Sequence, residues 1–331
     1  MNEKEIGAFA VAEMHNEKLY PSHEARAFMN DRTALHLRDL EYRHSLYEEM
    51  RPTREERDIK SRLHSSLLDK LGARDDYERL RQLERERLDA NRILPRLFPL
   101  DRPGSVVHPH SDPAEDGIMV WWAKTSWFFP TTKATIWMDG DGVHIAAKFE
   151  IDDGDLHKYS IRVVAQFEVR ADRMPPKGRN YLSNPVSEVS GQAYGFVGGG
   201  GLLDFGDTWS KCWLNTKQTV FTFAGFDESP EPPPPGTIGV QVVVGQVVGF
   251  TSDSHQLIFS ETGNPDVGDL PGLMGLPVTF FLPATAVSLL IELEWQFDVQ
   301  IEGGHALLWL GHTPAAQVCT IKHPQWTIRG V

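Results

Sequence analysis

The sequence predicts an α+β protein that is mainly β. A charged α-helical region over residues 1–100, a helical hairpin or coiled coil, precedes an acidic antiparallel β-sandwich or jelly-roll-like domain over residues 101–331. Three observations carry that expectation. Of the first 100 residues 39 are charged, against 40 of the remaining 231. All nine Trp fall after position 120. Apolar spacing also changes, from three and four residues early in the chain to strict alternation later, the periods of helix and strand.

A chain of 331 residues suits two domains or one large domain with an appendage. The formal charge of −13 is unevenly divided: residues 1–100 carry 19 basic and 20 acidic side chains, the rest 14 and 26. The acidic β part argues against nucleic-acid binding through a broad positive field. In the helices the same conclusion rests on interleaved signs, which read as solvated faces. Pro95, Pro99, Pro103 and Gly104 place the boundary near 95–104.

In the first helix Phe28, Leu37, Leu40, His44, Tyr47 and Met50 form the expected apolar stripe. Thr53-Arg54-Glu55-Glu56 has the form of a capping box, in which Thr and Glu side chains satisfy N–H groups at a helix start. Ile59, Leu63, Leu67 and Leu71 then recur at i+4, and Gly72 ends the run. Asp75 starts a further segment with Tyr77, Leu80, Leu83 and Leu88 on one side. Narrow stripes among mixed charges are typical of a helical hairpin or coiled coil.

The clearest strand is Ala286 to Glu302. Leu289, Ile291, Leu293, Trp295, Phe297, Val299 and Ile301 point one way, while Leu290, Glu292, Glu294, Gln296, Asp298, Gln300 and Glu302 point the other. Such alternation predicts one buried and one wet face. Gly303-Gly304 reads as a hairpin turn into His305–Leu310. A second expected hairpin joins Val143–Ile151 to Tyr159–Val169 through Asp152–Asp155. Further strands are expected at 118–122, 134–138, 217–224, 237–250, 277–283, 317–322 and 325–329.

One segment has metal-ligand chemistry: His108-Pro-His110-Ser-Asp112-Pro-Ala-Glu115. Two histidines at i and i+2 on extended chain face one way, and Glu115 can complete a divalent-metal site. His-x-His-x4-Glu resembles the first metal motif of cupins. His-x-His-x-Asp is similar to the start of the metallo-β-lactamase-fold signature, although Pro113 stands where that signature has His. The cupin resemblance implies a metal-dependent β-barrel enzyme using His108, His110 and Glu115. The competing reading is a Pro-rich entry loop with solvated imidazoles and no cofactor.

The Trp set invites a carbohydrate-binding reading, because sugar rings stack on indoles. Trp127-Phe128-Phe129-Pro130 reads as an apolar loop and the leading contact patch, with Trp122 beside it. Asp139–Gly142 and Asp152–Asp155 read as turns. Gly198–Gly201 has no following Lys-Ser/Thr, so it is not a phosphate loop. Four prolines at 232–235 make a stiff spacer. No Gly-x-Ser-x-Gly is present, and Cys212 and Cys319 read as buried free thiols. Glu292 and Glu294 read as a pair that keeps a wet face soluble.

The function these features favour is a non-enzymatic structural or interaction protein. Its helices would mediate assembly or docking with protein partners, and the sandwich would form the body or a binding surface. Helical stalk plus β-head is also the layout of many trimeric phage and secretion-apparatus components. The alternative is a carbohydrate- or ligand-binding sandwich with a glycan partner; the second alternative is a cupin-like metal enzyme. The N-terminus has no basic n-region or long apolar run, and no segment reaches the ~18 apolar residues of a membrane-spanning helix. Cytoplasmic placement is therefore the default expectation. Signal-less export or incorporation into a virion or apparatus would leave the same sequence features.

Overall fold

The computed structural model describes residues 9–16, 19, 21–51, 54–76, 79, 82, 117–131, 133–152, 155–198, 208–224, 245–261, 265–311 and 318–331. The expected boundary at 95–104, the helical segment with Leu83 and Leu88, and His108, His110 and Glu115 lie outside these residues.

In chain order the elements are β1 (Phe9–His15), α1 (His23–Met50), α2 (Arg54–Leu71), β2 (Gly117–Trp121), β3 (Lys124–Pro130), β4 (Ala134–Met138), β5 (Gly142–Ile151), β6 (Leu156–Val169), β7 (Arg179–Ser190) and β8 (Gln192–Gly198). There follow β9 (Trp209–Ala224), β10 (Gln246–Glu261), β11 (Asp266–Asp269), β12 (Gly272–Gly275), β13 (Val278–Leu282), β14 (Ala286–Glu302), β15 (His305–Leu310), β16 (Cys319–Lys322) and β17 (Gln325–Gly330). No helix among the described residues is long and apolar enough to cross a membrane.

The strands form two antiparallel sheets. One has six strands in the order β1-β3-β6-β14-β9-β10; the other has eleven, with the path β11-β8-β15-β5-β16-β7-β17-β2, β12 and β13 also on β7 and β4 on β5. Leu289, Ile291, Leu293, Trp295, Phe297, Val299 and Ile301 of β14 share one buried cluster with Val143, Ile145, Ala147 and Phe149 of β5. The two inner faces thus close one core, the layered arrangement of a β-sandwich. Each such large apolar side chain contributes roughly 1.5–3 kcal/mol by leaving water.

Both expected hairpins are corrected. β5 pairs with β4, β15 and β16, whereas β6 pairs with β3 and β14 in the other sheet. Likewise β14 pairs with β6 and β9, and β15 with β5 and β8. The chain therefore passes from one sheet to the other between β5 and β6, and again through Gly303 and Gly304 between β14 and β15. Alternation reveals which face is apolar, but not which edge is hydrogen-bonded. In these crossings the two apolar faces meet across the core instead of sharing a ladder. Gly303 has φ 147°, and a Cβ there would sit 3.1 Å from Val197 Cγ1, so the corner fits only glycine without strain.

The N-terminal region departs further from expectation. Phe9–His15 is an edge strand, in register with Lys124–Pro130. No helical hairpin or coiled coil is seen among the described residues; α1 packs on β6, β1 and β3. Its buried seam is Ala25, Met29, Thr33, His36 and Leu40, while Met50 of the expected stripe is exposed. α2 ends before Gly72 at φ 63°, as its sequence predicts. Its stripe of Ile59, Leu63, Leu67 and Leu71 is exposed.

Candidate ligand-binding groove

α1 covers the outer face of the six-stranded sheet, the face expected to be wet. Ser22 caps the helix by accepting from Ala25 N at 3.2 Å. Glu168 of β6 then accepts from Ser22 N at 2.6 Å and Ser22 Oγ at 2.7 Å, placing a carboxylate at the positive end of the helix dipole. Lys124, fully buried, donates to Asn30 Oδ1 at 2.9 Å and meets Glu13 at 3.0 Å. At the far end Arg51 meets Asp155 at 3.2 Å.

Between these ties lies a layer of charge. Arg32 grips Glu292 with Nη2–Oε1 at 2.6 Å and Nε–Oε2 at 3.2 Å, and Gln166 donates to Glu292 Oε2 at 2.8 Å. Arg162 donates to Gln296 at 2.7 Å and to Asp39 at 2.8 Å, and lies 3.0 Å from His36 Nδ1 and 3.2 Å from Glu294. Because Arg162 can only donate, His36 Nδ1 accepts, which leaves Nε2–H for Glu292 Oε1 at 3.2 Å. Burial would raise the Glu292 pKa, but hydrogen bonds from His36 and Arg32 outweigh it and hold the carboxyl well below its usual range. Asp39 is likewise held low: hydrogen bonds from Arg162 and Arg43 overcome its desolvation.

Towards the C-terminal half of α1 this layer opens into a groove. α1 forms one wall, and β6, β14, β9 and the edge strand β10 line the rest. Register orders the floor in rows: Arg162–Gln296–Asn215, then Ser160–Asp298–Trp213, then Lys158–Gln300–Lys211. Two adjoining cavities of about 680 and 850 Å³ share Arg43, Asn215, Ser254 and Asp298 at their junction. Each falls within the usual range of small-ligand sites, roughly 300–1,000 Å³. The larger cavity is bounded by Arg32, His36, Asp39 and Lys217, and the smaller by Tyr47, Tyr159 and Trp213.

The junction is held in place before any ligand arrives. Asp298 accepts from Ser160 Oγ at 2.7 Å, Asn215 Nδ2 at 2.6 Å, and Gln296 Nε2 at 2.7 and 2.8 Å. Ser254 Oγ donates to Asn215 Oδ1 at 2.6 Å. On the wall, Tyr47 Oη is buried with no hydrogen-bond partner among the described residues, and desolvation pushes its pKa up to about 12. Chemically the groove offers fixed donors and acceptors beside aromatic faces.

The sequence-derived candidates lie elsewhere. Trp122 is buried and stacks on His323 at 4.5 Å. Trp127 and Phe128 belong to β3, not a loop, and are 7% and 0% exposed. Phe128 packs with Leu40 and Val164 beneath α1, so the expected apolar contact patch is core. Among the described residues no group of three or more His, Cys, Asp or Glu could hold a metal ion. Cys212 and Cys319 are buried free thiols, as expected. Trp213 belongs to the Trp set that suggests a sugar ligand, whereas Asn215 and Asp298 lie outside the sequence-derived candidates. Their signal was present in Trp209, Lys211, Trp213, Asn215 and Lys217, an aromatic and polar row at period two along one face of β9.

No family model and no curated protein matches the chain. Among solved structures, a carbohydrate-binding module in complex with β-1,4-galactotriose is similar over 62% of this chain and 88% of its own, at 8% identity and TM-score 0.20. The enzymatically active domain of bacteriophage CBA120 tailspike protein 4 is similar over 63% of this chain and 19% of its own, at 10% identity and TM-score 0.18. Scores this low do not establish a common fold.

Proposed function

We propose that this is a carbohydrate-binding protein whose ligand lies in the groove between α1 and β10. The carrying observation is the row Ser160–Asp298–Trp213, in which an indole lies beside a carboxylate already fixed by four hydrogen bonds from its neighbours. Saccharides present hydroxyls that both donate and accept, together with C–H faces that stack on aromatic rings. The groove supplies both at adjacent positions, and rigid partners lose little freedom on binding.

The test is a glycan array followed by calorimetry on wild type and Trp213→Ala. Binding that weakens at least about tenfold in the variant, the loss typical of a central aromatic anchor, is the expected result. Binding unaffected by the substitution, or none to any glycan, would sink the proposal.

A second reading, self-association through the helical region, is favoured by the exposed stripe of Ile59, Leu63, Leu67 and Leu71 on α2. Light scattering tests it: a monomer at every concentration counts against it, while a dimer lost in Leu63→Glu supports it.

A further inference from the structure

We infer that the ligand of this groove is an acidic oligosaccharide whose carboxylate groups are held by Lys158 and Lys211. The inference rests on the glycan reading of the groove and adds the charge of the ligand.

Gln300 pairs in register with Lys158 on one side and Lys211 on the other. The two lysines therefore rise from one row of the floor, two strand spacings or ~10 Å apart. Each ammonium lies against aromatic rings. Lys158 Nζ is 5.7 Å from the Tyr47 ring centroid. Lys211 Nζ is 4.0 Å from that of Trp209 and 4.6 Å from that of Phe259. No carboxylate partners either lysine among the described residues.

The carboxylates that line the groove are, in contrast, engaged. Asp298 accepts from Ser160, Asn215 and Gln296; Asp39 pairs with Arg162 and Arg43; Glu294 meets Arg162; Asp253 meets His255. Asp39 and Glu294 are thus offset by arginines, Asp298 keeps its charge among neutral donors, and the row of Lys158, Gln300 and Lys211 carries two positive charges of its own, although the whole chain carries −13. Ring faces attract an ammonium but accept no full hydrogen bond from it. A ligand carboxylate would supply a charge-assisted one to each.

Position supports the same ligand. The lysine row is adjacent to the Ser160–Asp298–Trp213 row, two residues or ~7 Å along the strands. A sugar ring over Trp213 thus places the acidic group of its neighbour near Lys158 or Lys211. Lys158 and Gln300 line the smaller cavity, and Lys211 follows Gln300 in the row beside it, its stem held against Trp209 and Phe259.

The experiment is calorimetry with tetramers of galacturonate, glucuronate, mannuronate and guluronate, each against its methyl ester, which keeps the backbone and removes the charge. We expect at least one acid to bind about tenfold or more tightly than its ester, in line with a hydrogen bond to a charged group. That advantage should shrink as salt rises and disappear in Lys158→Gln/Lys211→Gln, with an unchanged unfolding midpoint. Acid and ester binding alike, with loss in Trp213→Ala, overturns the acidic ligand and leaves the glycan groove standing. Binding to neither form overturns the acidic ligand; the neutral-glycan array then decides the groove by itself.

Discussion

Arg32 of α1 and Glu292 of β14 form a two-point ion pair, with contacts of 2.6 and 3.2 Å across 260 residues of sequence. Glu292 is only 2% exposed, so this pair fixes where the helix lies on the sheet and hence where the groove has its wall. Removing one partner would leave the other charge buried and unpaired. Glu292→Ala should therefore cost roughly 3–5 kcal/mol, read from urea unfolding. The double variant Arg32→Met/Glu292→Met should regain most of that loss. Equal stability of wild type and Glu292→Ala would show that the helix is not held there.

Acid should loosen the same contact. The folded pKa of Glu292 lies below its ordinary value of 4.5, so the stability it contributes is fully present above that value and is lost as pH falls through the folded one. Asp39 shifts the same way and adds to the slope. The urea midpoint should be flat from pH 7 to about 5 and fall below the usual carboxylate range. The fall should be shallower in Glu292→Gln. A midpoint independent of pH between 5 and 2.5 contradicts this.

The thiols should be inert in the folded protein. Burial pushes Cys319 up to about 12 and Cys212 well above its usual value. Only the thiolate reacts, so iodoacetamide at pH 8 should label neither cysteine until the chain unfolds. Mass spectrometry of the native and urea-treated protein checks this. Native labelling of either residue would show that its cover opens readily.

Gly191, between β7 and β8, should resist substitution. Its φ is 123°, and a Cβ would lie 2.8 Å from Cys319 Cα and from the Val318 carbonyl oxygen. Gly191→Ala should cost at least about 2 kcal/mol through backbone strain and overpacking together. Gly140, where a Cβ meets nothing within 4 Å, provides the matched control. Similar unfolding midpoints for Gly191→Ala and Gly140→Ala would refute the constraint.

Much of the β part was legible. β4 coincides with the expected 134–138, and β5, β6 and β14 follow their alternating runs closely. α1 was legible as a helix, but its seam was not. Its inward face mixes Met29, Thr33, His36 and Leu40, so a search for apolar spacing alone drifts to Phe28, Tyr47 and Met50. Arg32, His36, Asp39 and Arg43 recur at four, three and four residues, a polar stripe that matches the long polar side chains of β14. That correspondence was the available sign that helix and sheet meet. β1 was missed because a short apolar run before a helix has no feature that marks it as an edge strand.

The sequence by itself determined the alternation of the strands, the glycine corner at 303, the end of α2 at Gly72 and the concentration of negative charge after residue 100. These follow from local geometry, in which side-chain period and backbone φ are set by near neighbours. Tertiary structure alone decided that β14 leads across the core instead of into a hairpin. It also decided that Glu292 lies beneath a helix, and that Trp213, Asp298 and Lys158 line one groove with Lys211 next to Gln300 in the adjoining row. Strand pairing and helix docking join distant residues, 83 positions apart for Asn215 and Asp298 and 260 for Arg32 and Glu292. What selects them is the fit of whole faces, which no short stretch of sequence contains.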